Sequence, residues 1–153
     1  MNIYKTYKDC MITKGDARVL LPYISDNRSD MYKLNKGYHT GIDIEASEVY
    51  NMYTGTVIQV GIEEDNSYAV TVEYNGDIAL RYMNLLKAYV TPGDYIYLGA
   101  FIGSANKFVH FEYVNTRKDD SIWPVRVGEK TYYKHDPEVI FDGRLKLRSN
   151  NIM

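Results

Sequence analysis

The chain has 153 residues, 45% of them apolar and 25% charged, as in a soluble globular protein with one hydrophobic core. A net charge of −2 with scattered basic residues argues against a protein that wraps a nucleic-acid backbone. No stretch approaches the roughly 20 apolar residues of a membrane span, and "NIYKTYKDCM" lacks the apolar core of a signal peptide. We therefore expect no nucleic-acid partner, no membrane span and no classical leader.

No repeat, linker or composition shift divides the sequence. We expect a single domain over 1–153, with a core at about 11–143 and with 1–10 and 144–153 peripheral. The single cysteine, Cys10, cannot form an internal disulfide and is predicted to be a small, partly buried hydrophobe. The 16 tyrosines suit half-buried strands, and the alternative is that some of them form a groove for sugars or peptides.

The local patterns predict strands and turns along most of the chain. Residues 1–37 are rich in turn formers and predict irregular structure with one or two short strands. From residue 47 the pattern becomes β, with a "TPGD" turn and a strongly alternating final strand. The predicted strands are listed in order: "EVYNM", "TGTVIQVGI", "YAVTVEY", "IALRYMNL", "DYIYLGAFIG" and "FVHFEYV". "RVGEKTYY" then predicts a hairpin and "DPEVIF" one helical turn, which together indicate a mostly β fold, an antiparallel sandwich or a partly open barrel.

Two distant motifs carry metal-ligand chemistry. "GYHTGIDI" places His39 four residues before Asp43, and period-two alternation in "FVHFEYV" puts His110 on one face with Phe108 and Glu112. Two imidazoles and one carboxylate are a ligand mix of catalytic zinc, which keeps one position for water. The alternative is a polar pair in a turn and a satisfied, half-buried histidine on the strand.

The order of the motifs resembles that of the lysostaphin/LytM-type zinc endopeptidases over about residues 11–114. The matching segments are "HTGIDI", "TGTVIQVG", "AVTVEYNG", "RYMNL", "VTPGDYIYLGAFIG" and "VHFEY". Biotinyl and lipoyl carrier domains share an element like the fifth, but this chain lacks their modified lysine in a tight turn. The resemblance implies the LytM-type fold and one zinc ion held by His39, Asp43 and His110.

The chain departs from the family at two catalytic positions. Phe108 stands where the family has the first histidine of H-x-H, and Asn84 stands where it has the histidine of Y-x-H-L. Neither side chain can exchange a proton near neutral pH. His135 matches neither position, so we expect it outside the site.

Three further residues are candidates for contacts with a substrate. Tyr38 precedes the first ligand, and Tyr82 lies two residues from Asn84; both have an alternative role as rim or core aromatics. Glu112 shares the ligand face and could act as a base or fourth ligand. Its alternative role is a hydrogen-bond partner of His110.

Three functions fit these observations. The first is a LytM-like domain that retains zinc but is catalytically impaired, and that serves as a binding module for peptidoglycan or a protein partner. The second is an active zinc endopeptidase that hydrolyses peptidoglycan peptide cross-links. The third is a structural component of a phage-tail-type, wall-penetrating assembly, virion-associated or released without a classical leader. The retained ligands favour the first two, and the replaced histidines argue against efficient hydrolysis.

Overall fold

A computed structural model describes residues 3–24 and 37–147. Within these residues the chain forms eleven strands and one short helix, listed here in order: β1 (Lys5–Cys10), β2 (Gly15–Leu21), β3 (Ile42–Glu45), β4 (Glu48–Tyr50), β5 (Gly55–Ile62), β6 (Tyr68–Asn75), β7 (Ile78–Ala88), β8 (Tyr95–Ile96), β9 (Phe101–Asn115), β10 (Pro124–Val127), β11 (Lys130–His135) and α1 (Glu138–Phe141). The two strands described before residue 37, the hairpin and the helical turn fit the local patterns, and residues 25–36 of the stretch predicted to be irregular lie outside the described residues. Pro137 is the N-cap of α1 rather than its first residue.

The strands form one antiparallel sheet in the order β1-β2-β3-β9-β7-β6-β5-β8. The first part of β9 pairs with β4, and its last part pairs with the β10–β11 hairpin. Because β1 and β8 end the path, the sheet stays open. The mostly β, antiparallel prediction is confirmed. The prediction of a single domain with those core boundaries stays a prediction.

Alternation along β9 divides the sheet into an apolar face and a charged face. Val109, Phe111 and Tyr113 lie in the main core, and Tyr82 on β7 stands directly opposite Phe111. Cys10 is buried in the same core, and burial raises the pKa of its thiol to about 11. On the other face the hairpin packs over one end of the sheet through a small second cluster, Ala79, Val114, Val127 and Tyr132.

A bulge interrupts the pairing of β7 with β9. Leu85 pairs with Ala105 and Met83 pairs with His110, so four residues of β9 stand against Asn84 alone. At this bulge β9 changes its other neighbour from β4 to β3. The bulge therefore sets which residues of β9 reach the strand that carries Asp43.

No helix in the described part of the chain is long and apolar enough to cross a membrane.

Candidate metal centre

His39, Asp43 and His110 lie together on the charged face. Strand β3 brings Asp43 directly opposite His110 on β9, and His39 lies just before β3. Asp43 Oδ1 is 3.0 Å from His39 Nε2 and 2.8 Å from His110 Nδ1. One possible ligand atom of each residue lies within 4.8 Å of the other two. The structure thus brings together the three residues that the two motifs indicate as ligands.

The other ring nitrogen of each histidine has its own partner. His39 Nδ1 lies 2.8 Å from the Pro22 carbonyl oxygen, and His110 Nε2 lies 3.0 Å from Glu112 Oε2. A carbonyl and an ionised carboxylate only accept hydrogen bonds, so these nitrogens carry hydrogen, and the ring nitrogens that face Asp43 are the ones a metal ion would bind in place of a proton. Metal-binding histidines are commonly held in this way. Two imidazole nitrogens and a carboxylate oxygen therefore fit a metal ion.

The glycine between the first two ligands is required by a close approach. A Cβ on Gly41 would lie 2.6 Å from the Phe111 carbonyl oxygen and 2.8 Å from His110 Nε2. Both distances are below van der Waals contact, so a larger residue would push His110 or the backbone away. The glycine in "HTGID" thus lets the first motif pack directly on the second.

Buried charges dominate the electrostatics of the site. Burial alone would lower the pKa of His110, but hydrogen bonds to Asp43 and Glu112 outweigh it and raise that pKa to about 9. Burial would raise the pKa of Asp43, but the hydrogen bonds from the two histidines lower it. Asp43 is therefore ionised at neutral pH.

Two cations neutralise Glu112, and sequence analysis missed both. Arg81 Nη1 lies 2.5 Å from Glu112 Oε1, and Lys134 Nζ lies 3.3 Å from Glu112 Oε2 and 3.1 Å from the Thr40 hydroxyl oxygen. Burial would raise the pKa of Glu112, but Lys134, Arg81 and His110 hold it well below its ordinary value. We call Glu112, Arg81 and Lys134 the charge clamp. Alternation places Arg81 on a face, but only the strand register puts it opposite Glu112.

Two of the three candidate substrate contacts take the alternative roles that the sequence left open. Tyr82 is fully buried in the core, where its hydroxyl donates to Asn51 Oδ1 and accepts from the Met52 N–H. Glu112 is 1% exposed and is occupied by the charge clamp and His110, so it takes the alternative role of a partner for His110. Neither residue is placed to contact a substrate.

Tyr38 lies at an aromatic rim beside the metal centre. Its side chain is exposed, and its ring centroid lies 6.3 Å from that of Trp123. Tyr23 lies 6.2 Å from Trp123, and its hydroxyl donates to the Lys134 carbonyl oxygen. Tyr38 therefore keeps its predicted role as a candidate substrate contact. Trp123 and Tyr23 join it through folding of the hairpin, which no local pattern revealed.

The two substituted positions have other roles. Asn84 has a φ of +68°, and its amide donates to the Phe108 carbonyl oxygen at 2.8 Å, which ties β7 to the bulge of β9. Phe108 pairs with Glu45 on β3, one step along the face from the ligand pair. His135 lies outside the ligand group, as expected. Its Nε2 is 2.8 Å from the Arg117 carbonyl oxygen.

Known structures share this fold. The antimicrobial peptidase lysostaphin from Staphylococcus simulans matches with a TM-score of 0.61 at 18% identity, over 93% of this chain and 56% of that chain. A zinc-containing peptidase from Vibrio cholerae matches with a TM-score of 0.55 at 21% identity, over 71% and 36%. A chain of the SpoIIQ–SpoIIIAH pore-forming complex matches with a TM-score of 0.58 at 17% identity, over 90% and 89%.

No family model and no curated protein sequence matches this chain. The chain spans about half of the lysostaphin chain and about a third of the Vibrio peptidase chain. Their whole activities therefore do not follow from the match. The sheet topology and the structural similarity show that the chain has the fold of the lysostaphin/LytM-type metallopeptidases.

Proposed function

We propose that this chain is a zinc-binding domain that has lost efficient peptidase activity and works as a binding or structural module at the bacterial cell wall. Its partner in this proposal is peptidoglycan or a protein of a larger assembly, such as a phage-tail-type, wall-penetrating one. One observation carries the proposal. His39, Asp43 and His110 lie close enough together to bind one ion, whereas the Asn84 amide is hydrogen-bonded to the Phe108 carbonyl oxygen at the bulge.

His39, Asp43 and His110 would hold the ion through Nε2, Oδ1 and Nδ1. Zinc in such a site polarises a peptide carbonyl and acidifies bound water. The similarity to a zinc-containing peptidase supports zinc as the metal. Glu112 keeps His110 Nδ1 turned towards Asp43 by occupying Nε2.

The residues around the ligands offer little for proton transfer. A positioned acid or base is worth about 10²–10⁴-fold in rate, and a donor to a developing oxyanion about 10²–10³-fold. Phe108 supplies neither, and the Asn84 amide is engaged by the Phe108 carbonyl. Hydrolysis should therefore be slower by several orders of magnitude than in an intact site. The similarity to a chain of a pore-forming complex supports a role in an assembly.

Metal content tests the first half of the proposal. Protein purified without added zinc should contain close to one equivalent, and His110→Ala should lose it. His135→Ala is the matched control, because this histidine lies outside the ligand group, and it should keep the metal. If the wild-type protein holds no metal and does not respond to His110→Ala, only a structural role remains.

Cleavage assays test the second half against an active zinc endopeptidase. Purified protein is incubated with peptidoglycan and with pentaglycine peptides, and we expect no more than trace cleavage. Clear cleavage that a chelator abolishes would establish the active enzyme instead. The variant that combines Phe108→His with Asn84→His should gain activity, because the metal ligands are already in place.

A further inference from the structure

Lys134 on β11 contacts both motifs that supply the candidate ligands. Its Nζ donates to the Thr40 hydroxyl oxygen at 3.1 Å and lies 3.3 Å from Glu112 Oε2. Thr40 directly follows His39 in the chain. The same oxygen of Glu112 lies 3.0 Å from His110 Nε2. One ammonium group therefore links the segment that carries His39 to the strand that carries His110.

The strand ladder fixes two of the three candidate ligands and leaves the third outside it. Pairing of β3 with β9 holds Asp43 opposite His110. His39 and Thr40 precede β3, so the position of His39 depends on the contacts of its own segment. The hydrogen bond from Lys134 to Thr40 connects this segment to the hairpin.

Lys134 is itself held in place by the hairpin. Its N–H donates to the Trp123 carbonyl oxygen at 3.0 Å, and its carbonyl oxygen accepts from the Ser121 hydroxyl at 2.6 Å. Pairing of β11 with β9 places Lys134 opposite Val114. The side chains of Lys134 and Glu112 are 12% and 2% exposed, so water competes with their ion pair much less than with an exposed pair. The ammonium group is therefore a fixed point beside the metal centre.

The second cation of the charge clamp reaches only one of the two motifs. Arg81 Nη1 pairs with Glu112 Oε1, and Arg81 Nε lies 3.4 Å from the Thr71 hydroxyl oxygen on β6. These two residues are the side-chain partners of Arg81 within the described part of the chain. Arg81 therefore neutralises Glu112 without a link to the segment that carries His39, so the two cations share an anion but differ in what they hold together.

We propose that Lys134 is a positioning residue that holds the segment carrying His39 at a fixed separation from His110 before an ion binds. The inference rests on the proposed function, because it takes zinc as the ion at the metal centre. Replacing a side chain that orients metal ligands typically costs about 10–100-fold in metal affinity. A centre whose ligands are arranged in advance binds its ion without first having to order them.

Electrostatics alone predicts the opposite effect for this lysine. A positive charge beside the centre repels a bound cation, so removal of that charge would raise zinc affinity. If Lys134 positions His39, its replacement should instead lower zinc affinity. The direction of the change therefore separates positioning from a simple effect of charge.

The experiment uses the full chain and measures zinc affinity by competition with a chelating dye. It also records the visible absorption spectrum of bound Co²⁺, which reports the coordination geometry. Lys134→Met removes the ammonium group and should lower zinc affinity by about 10–100-fold and shift the Co²⁺ bands. Thr40→Val changes no charge and removes one end of the link, so it should lower the affinity by about tenfold. In the double variant the two losses should not add, because both break the same link.

Lys130→Met is the matched control, because Lys130 lies on the same strand and its ammonium group donates to the Gly76 carbonyl oxygen. It should leave the zinc affinity and the Co²⁺ spectrum unchanged. Arg81→Met should lower zinc affinity less than Lys134→Met does. An equal loss would overturn the inference, because the loss of one charge beside Glu112 would then explain both results. An unchanged or higher affinity in Lys134→Met would overturn it as well.

Thr40→Val decides the outcome if Lys134→Met does not fold. An unchanged zinc affinity in Thr40→Val, beside a wild-type protein that binds zinc, would overturn the positioning role and leave the proposed function standing. A wild-type protein that binds no zinc would sink both.

Discussion

On one face of β9, Val109, Phe111 and Tyr113 lie in the apolar core, whereas on the other His110 and Glu112 lie among ionised groups. Both faces are almost fully buried: Phe111 is 0% and Glu112 1% exposed. The apolar face is stabilised by close packing of side chains and by the removal of apolar surface from water. The charged face is stable only if each buried charge has a partner of opposite charge, because an unpaired buried charge is strongly destabilising.

The charged face balances two anions against two cations. Asp43 and Glu112 are ionised, Arg81 and Lys134 sit on Glu112, and His110 bridges the two acids. Both cations lie on Glu112, whereas Asp43 faces His39 and His110, so a proton on His110 or a bound metal ion supplies the positive charge beside Asp43. We therefore expect the stability contributed by the apolar face to be independent of metal and pH, and the stability contributed by the charged face to depend on both.

The largest effect that does not depend on metal should come from the apolar face. The Phe111 ring packs on Tyr82 at 5.3 Å and on Phe141 at 5.6 Å. Phe111→Ala should lower the free energy of unfolding by about 3–5 kcal/mol, because it leaves a cavity in the core. Urea denaturation with and without added zinc should give the same loss. A loss below about 1 kcal/mol would mean that the core collapses into the space.

Glu112→Gln tests the charged face with a side chain of the same size. It leaves the buried Arg81 and Lys134 without their anion, which should cost about 3–5 kcal/mol in the free energy of unfolding. It also replaces the charged acceptor that orients His110 by a neutral and weaker amide oxygen, so zinc affinity should fall by about 10–100-fold in a competition assay with a chelating dye. The matched control is Glu73→Gln, whose carboxylate bonds to the Tyr132 hydroxyl away from the metal centre. An unchanged zinc affinity in Glu112→Gln would contradict the role of the charge clamp.

The pH dependence of stability should differ between the metal-free and zinc-loaded protein. The pKa of His110 is raised from 6.5 to about 9, so its contribution is complete below pH 6.5 and is lost as pH rises towards 9. The metal-free protein should lose at most about 3 kcal/mol over this window. The zinc-loaded protein should instead gain stabilisation from zinc as pH rises, because the metal competes with the proton. Thermal unfolding at several pH values measures the stability of both forms. If stability changed with pH in the same way in the metal-free and zinc-loaded protein, the proposal that His110 binds zinc would be wrong.

Sequence alternation predicted the shared face of Phe108, His110 and Glu112, and the two motifs, with the resemblance, predicted the three candidate ligands that lie together in the structure. The sequence could not predict that Lys134 reaches Glu112, because that contact depends on the pairing of β11 with the end of β9. The sequence also left open whether Tyr82 is a core aromatic or a substrate contact, because alternation along β7 is broken at the bulge, which only the register between two distant strands creates.

Asn84→Ala should give the smallest effect and tests why the bulge holds an asparagine. Alanine loses the hydrogen bond to the Phe108 carbonyl, and its Cβ is disfavoured at a φ of +68°, so we expect a total loss of about 1–2 kcal/mol. Asn84→Gly loses the same hydrogen bond without the steric cost at positive φ, so in urea denaturation it should lose less than alanine does. Equal losses would mean that the hydrogen bond alone selects asparagine. A greater loss for alanine would mean that the backbone restricts this position, and histidine is among the few residues that tolerate such a φ. In that case the histidine that the resemblance implies at this position would fit the same bulge, and asparagine keeps the strands in place without supplying a proton-transfer group.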